Sequence, residues 1–192
     1  MRGEEVEVPV FDFLTGRRAK DSIVMRLHPD EPLIIEGIHA LNPMLLNDDI
    51  DRDKLFRVYV SALTTLNIDD HNRIHTTDAR LLRRLVRDYE TRGASMEHTL
   101  SMWPSVRRGE EKWIFPYQEN ADALFNTTLV YEVSVLKKYV YPLLQEVPKE
   151  SPCYAAARDI TKVLNYFLDA DGIEDEIPPT SILREFIGGC TF

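Results

Sequence analysis

Cysteine is scarce. Cys153 and Cys190 are the two in the chain, too few for a disulfide framework or a cysteine-based metal site. No apolar run approaches the roughly 20 residues of a membrane-spanning helix, and no signal-peptide pattern opens the chain. We therefore expect no membrane partner and a cytoplasmic location. Positive charge is also in short supply: 23 Lys and Arg face 32 Asp and Glu, for a net charge of −9. That balance disfavours non-specific binding to nucleic acid. Internal repeats and low-complexity tracts are missing. What is left is ordinary globular composition, 44% hydrophobic and 29% charged over 192 residues. One domain with a small appendage fits that length.

The stretch PLIIEGIHALNP, Pro32 to Pro43, stands out. Leu33, Ile34, Ile35 and Ile38 surround Glu36 and Gly37, and turn residues flank the run. The pattern predicts a strand buried on both faces. An acid at the end of such a strand needs a positive partner, and strand ends of open α/β sheets are where ligands bind. Glu36 is thus a candidate site residue. A strand-end carboxylate that caps a helix or pairs with an arginine explains it equally well.

Around this stretch, Val6–Phe13 and Asp21–Leu27 read as short strands, and Leu55–Val60 and Ala123–Thr127 as further ones. Asn42-Pro43 reads as a cap and first position of a short helix, followed by an acidic loop over Asn47–Asp53. Helices are predicted over the segment ending at Gly93 with Asp78 as cap, over Ser95–Lys112 with Pro104 inside, over Tyr131–Val147, over Ala155–Leu168, and over the ILREFIG segment near the end. We divide the chain into a core, 1–147, and a carboxyl-terminal helical extension, 148–192, packed on it. The expected fold class is α/β.

Arg80, Arg83, Arg84 and Arg87 fall at i, i+3, i+4 and i+7, one face of a helix. Leu81, Leu82, Leu85 and Val86 fall on the other side. Like charges on one stripe repel by a few tenths of a kcal/mol per close pair, roughly. Phosphate oxygens suit the planar arginine fork and would neutralise it. A solvated face tied down by Asp78, Asp88 and Glu90 is the plainer explanation. Arg92 adds a fifth charge before Gly93. An acid suited to a cation and arginines suited to a polyphosphate are the two requirements of phosphoryl transfer. Among smaller signals, His39 could assist an acceptor. Arg17 and Arg18 could meet a substrate.

Pro9-Val10-Phe11-Asp12-Phe13-Leu14-Thr15, Glu36-Gly37-Ile38, the block from Arg80 to Asp88 and Arg92-Gly93 resemble the uridine kinase and phosphoribulokinase family in order and spacing. The resemblance implies a partial P-loop NTPase-like three-layer fold with a short parallel sheet and many helices. It implies ATP and Mg²⁺ as cofactors. It places Glu36 near the magnesium and phosphates, and Arg83, Arg84 and Arg87 on a lid helix reaching ATP phosphates and the acceptor. Arg92 matches the arginine just after the lid. Phe11 stands where the family has an aromatic lining the nucleoside site, with Asp12 beside it toward the sugar.

The departures carry information too. Gly16 stands where uridine kinases tend to carry a histidine for pyrimidine recognition, so the uracil base is not implied. No G-x-x-x-x-G-K-[ST] motif occurs in the chain. We expect the carboxyl-terminal portion of an ATP-dependent kinase that moves a γ-phosphate to a nucleoside or sugar hydroxyl, inactive or nearly so alone. The alternative is a non-catalytic nucleotide-sensing or oligomerisation module, with a homodimer as its candidate assembly.

Overall fold

The computed structural model of the chain describes residues 3–12, 15, 17–46, 50–64 and 66–191. Gly16, Phe13, Leu14 and residues 47–49 of the predicted acidic loop lie outside the described residues. The chain forms two compact units, residues 1–40 and 41–192.

In the first unit, β1 (Val6–Asp12) pairs antiparallel with β2 (Arg17–Met25), with a register shift between Pro9 and Phe11. Val6 faces Met25 and Val8 faces Ile23 across the ladder, so one face of the hairpin carries the β-branched and apolar side chains that favour strand pairing.

The predicted buried strand at Leu33–Ile38 does not form. The segment belongs to no strand, and Ile34 is 86% and Ile35 67% exposed. A strand buried on both faces takes its stability from neighbours on both edges. Among the described residues no strand pairs with this one. The apolar run records what the segment suits, and tertiary context decides whether it pairs.

The second unit is mixed α/β. β3 (Val58–Ser61) pairs in parallel with β4 (Ala123–Asn126), Val58 opposite Ala123 and Ser61 opposite Asn126. Side chains lock both ends of this short ladder. Arg57 N donates to Asp122 Oδ2 at 2.7 Å. At the far end the Asn126 amide accepts from Leu63 N at 2.9 Å and donates to Leu63 O at 3.0 Å.

Five α-helices are seen among the described residues: α1 (Thr76–Arg92), α2 (Met96–Trp113), α3 (Glu132–Gln145), α4 (Tyr154–Leu164) and α5 (Arg184–Ile187). Gly93 ends α1 in the left-handed conformation, φ 61°, which glycine adopts without a Cβ penalty. Ser95 caps α2 by accepting from His98 N at 3.1 Å. Asp78, predicted as the cap of α1, lies inside its first turn, and His75 occupies the cap position. The core joins Leu82 and Leu85 of α1, Leu100 of α2, Leu136 and Val140 of α3, Leu164 of α4, and Leu183 and Phe186 at the end of the chain. As the spacing predicts, Leu81, Leu82, Leu85 and Val86 all point inward.

Candidate functional site

The hairpin gathers one set of candidates. Phe11 is opposite Arg18 and Asp12 opposite Arg17 in the β1–β2 register. The short turn is held in part by Asp12, whose Oδ2 accepts from Thr15 Oγ1 at 2.7 Å. Glu36 and His39 lie further along the same unit and are exposed. Among the described residues, no group of three or more His, Cys, Asp or Glu side chains could hold a metal ion. Mg²⁺ is commonly held by one or two carboxylates with substrate phosphates and water. Glu36 is one such carboxylate, and the described residues build no metal site around it.

The arginines all lie on α1, in the second unit. Their surroundings differ from one to the next. Arg83 is buried, at 9% exposure. Its Nη2 donates to Glu132 Oε2 at 2.5 Å and to Thr127 O at 2.9 Å, and Nε donates to Glu132 Oε1 at 3.3 Å. Its guanidinium also lies over the Phe186 ring, 5.5 Å from the centroid. Arg80 pairs with Glu110 of α2, which also takes Arg107 Nη1 at 2.7 Å.

Arg84, Arg87 and Arg92 converge on one carboxylate. Asp88, itself only 3% exposed, has Arg84 Nε at 3.1 Å, Arg87 Nε at 3.8 Å and Arg92 Nη1 at 3.0 Å. The Thr99 hydroxyl of α2 donates to it at 3.4 Å. Three positive charges therefore share the one buried negative charge of Asp88, and among the described residues only Arg87 has a second, exposed carboxylate near it, Glu185 at 4.0 Å. Arg84 Nε and Arg87 Nε are buried without a hydrogen-bond acceptor, so their approach to Asp88 is a charge contact alone. Burial lowers the Arg87 pKa from its ordinary value, and the neighbouring Arg92 charge lowers it further. An arrangement of this kind favours an incoming anion with several oxygens.

Of the acids proposed from the sequence to tie down the stripe, Asp88 does so. Glu110 and Glu132 are the partners that sequence reasoning missed. They lie 30 and 49 residues from the arginines they bind, and local spacing carries no signal of such distant pairs. Asp69 organises the turn before α1. It accepts from His71 N at 2.8 Å and Asn72 N at 2.7 Å, and the Asn72 side chain and these backbone donors hold its pKa below 3.8.

Residues 1–134 match the Phosphoribulokinase / Uridine kinase family. The chain belongs to that family. A uridine kinase of Staphylococcus epidermidis is 32% identical over 123 residues, covering 64% of this chain and 50% of the relative. A uridine kinase of Staphylococcus aureus matches with the same identity and coverage. The chain thus spans about half the length of the curated relatives it matches. No helix among the described residues is long and apolar enough to cross a membrane.

Proposed function

We propose that this chain is the carboxyl-terminal portion of an ATP-dependent nucleoside kinase, which transfers the γ-phosphate to a nucleoside or sugar hydroxyl. The convergence of Arg84, Arg87 and Arg92 on the single buried Asp88 carries the reading. It leaves surplus positive charge and two buried donors without acceptors, on the segment that belongs to a kinase family. In this reading Arg84 and Arg87 meet the phosphates, Arg80 and Arg92 add charge at the ends of the stripe, and Arg83 sets the helix in place. Phosphoryl transfer relies on positioning and electrostatic stabilisation of this kind.

Phe11 offers a ring to a nucleobase, and Asp12, Arg17 and His39 offer polar contacts to the acceptor. ATP is the phosphate donor. Mg²⁺, when bound, neutralises charge on the phosphates, with Glu36 as the chain's candidate oxygen ligand. We keep the division into a core, 1–147, and a carboxyl-terminal extension, 148–192; Cys153, Ala157, Leu164, Ile177, Leu183 and Phe186 of the extension share one hydrophobic cluster with Leu82, Leu85 and Leu136. We place the protein in the cytoplasm.

The test is ATP-dependent phosphorylation of a panel of nucleosides and sugars by the protein expressed in its full genomic reading frame. Transfer to at least one acceptor, lost in Arg84→Ala, is the expected result. No transfer to any of them overturns the assignment.

One observation favours the second reading, a non-catalytic module that contacts another polypeptide. Val58 and Val60 of β3 and Phe125 of β4, on one face of the two-stranded sheet, are all exposed, an apolar surface of the kind that marks interaction sites. Light scattering on the purified chain tests it: a monomer across a wide concentration range removes the homodimer.

A further inference from the structure

The family match ends at residue 134, yet the last turn of the chain returns to the arginine helix. Leu183 is fully buried and Phe186 nearly so. Phe186 lies under Arg83. Arg184 holds the turn by donating to Glu174 O and Ile177 O, both at 2.6 Å from Nη2. These anchors set the position of the residue between them. Glu185 Oε1 stands 4.0 Å from Arg87 Nη1.

Two features make this carboxylate different from Asp88. Glu185 is 55% exposed at the side chain, so water competes for it and the pairing is weak. It also meets a different nitrogen of Arg87: Glu185 stands at Nη1, whereas Asp88 lies 3.8 Å from Nε. Asp88 is buried beneath the cluster and stays. Water can take the place of the exposed Glu185 carboxylate at little cost.

We propose that Glu185 is a resident counter-ion of the arginine face, which an incoming polyphosphate displaces. The tail thereby sets the affinity of α1 for nucleoside triphosphates, and Glu185 acts as a mild autoinhibitory contact. This rests on the reading of α1 as a phosphate-binding helix. Glu185 and a phosphate oxygen compete for the Arg87 charge, so removal of the carboxylate strengthens anion binding. Retention of a carboxylate at the same place leaves it unchanged.

The experiment is calorimetric titration of the purified chain with inorganic tripolyphosphate at low ionic strength. Wild type is compared with Glu185→Gln, Glu185→Asp, Arg84→Ala and Arg87→Ala, with circular dichroism confirming the fold of each. Glu185→Gln is expected to bind roughly two- to five-fold tighter than wild type, the range an exposed ion pair allows. Glu185→Asp should stay close to wild type, and both arginine variants should lose binding. If the arginine variants lose binding but Glu185→Gln does not gain it, the counter-ion role is overturned and the phosphate-binding reading stands. If no chain binds, Glu185→Gln included, or if Arg84→Ala and Arg87→Ala bind as wild type, both fall together.

Discussion

Arg83 and Glu132 face each other across the second unit, two guanidinium nitrogens on two carboxylate oxygens, with the Glu132 side chain 1% exposed. The pair ties the middle of α1 to the first turn of α3. Glu132 also accepts from Leu129 N at 3.0 Å, so the carboxylate's capacity is largely used. Breaking a buried pair leaves an uncompensated charge, which costs about 3–5 kcal/mol. Arg83→Ala and Glu132→Gln should each lose stability of that order in urea unfolding. Arg83→Lys should recover part of it, because an ammonium cannot reproduce the two-pronged contact. A loss below about 1 kcal/mol for both single variants would show that the pair is dispensable.

Asp88 invites the opposite experiment. It is the one buried acid beneath Arg84, Arg87 and Arg92. Asp88→Asn keeps the shape and removes the charge, leaving three arginines in mutual repulsion. We expect a lower thermal midpoint in chloride, with much of the loss restored by sulfate or pyrophosphate. Specific anion binding raises stability by mass action in proportion to occupancy. An equal midpoint in chloride and in pyrophosphate argues against an anion site on this face.

The helices were legible because the signals that define them are local. Ser95, Gly93 and the 3.6-residue spacing of Leu81, Leu82, Leu85 and Val86 act within a turn or two, and the structure obeys them. Sidedness of the arginine stripe was half legible. Its charge was visible in the spacing, but its partners Glu110, Glu132 and Glu185 come from three distant places in the chain. The strand at Leu33–Ile38 was misread for a related reason. Strand pairing is a property of two segments, and an apolar run specifies one of them.

Two acids should move the pH dependence of stability in opposite directions. Half-buried Asp78 has its pKa raised above 3.8 by desolvation, against the opposing effect of His75. Its folded form binds the proton more readily than the unfolded form, so its contribution declines as pH rises from the unfolded to the folded pKa. Asp78→Asn should match wild type at low pH and exceed it at neutral pH.

Glu174 has its pKa lowered below 4.5, chiefly by the Lys138 hydrogen bond. Its contribution is present above 4.5 and is lost as pH falls through the folded value. Lys138→Met should flatten that acid limb. Urea midpoints measured from acid to neutral pH resolve both effects. An acid limb of unchanged slope in Lys138→Met removes Glu174 from the account.

Ile34 separates what a segment's composition favours from what this fold does with it. A strand buried on both faces would place Ile34 in a core, and Ile34→Asp would then leave an unpaired charge there at a cost of several kcal/mol, in rough terms. The structure leaves the side chain 86% exposed. Substitutions at such positions usually change stability by about 0.5 kcal/mol or less. Leu136, fully buried in α3, supplies the internal comparison, and Leu136→Ala should cost about 2–5 kcal/mol through lost burial and the cavity left behind. Urea unfolding of the two variants beside wild type therefore gives a near-zero shift for Ile34→Asp and a large one for Leu136→Ala. A loss above about 2 kcal/mol for Ile34→Asp would mean that the apolar run is packed in solution. The Leu33–Ile38 segment would then have to be redrawn as a strand.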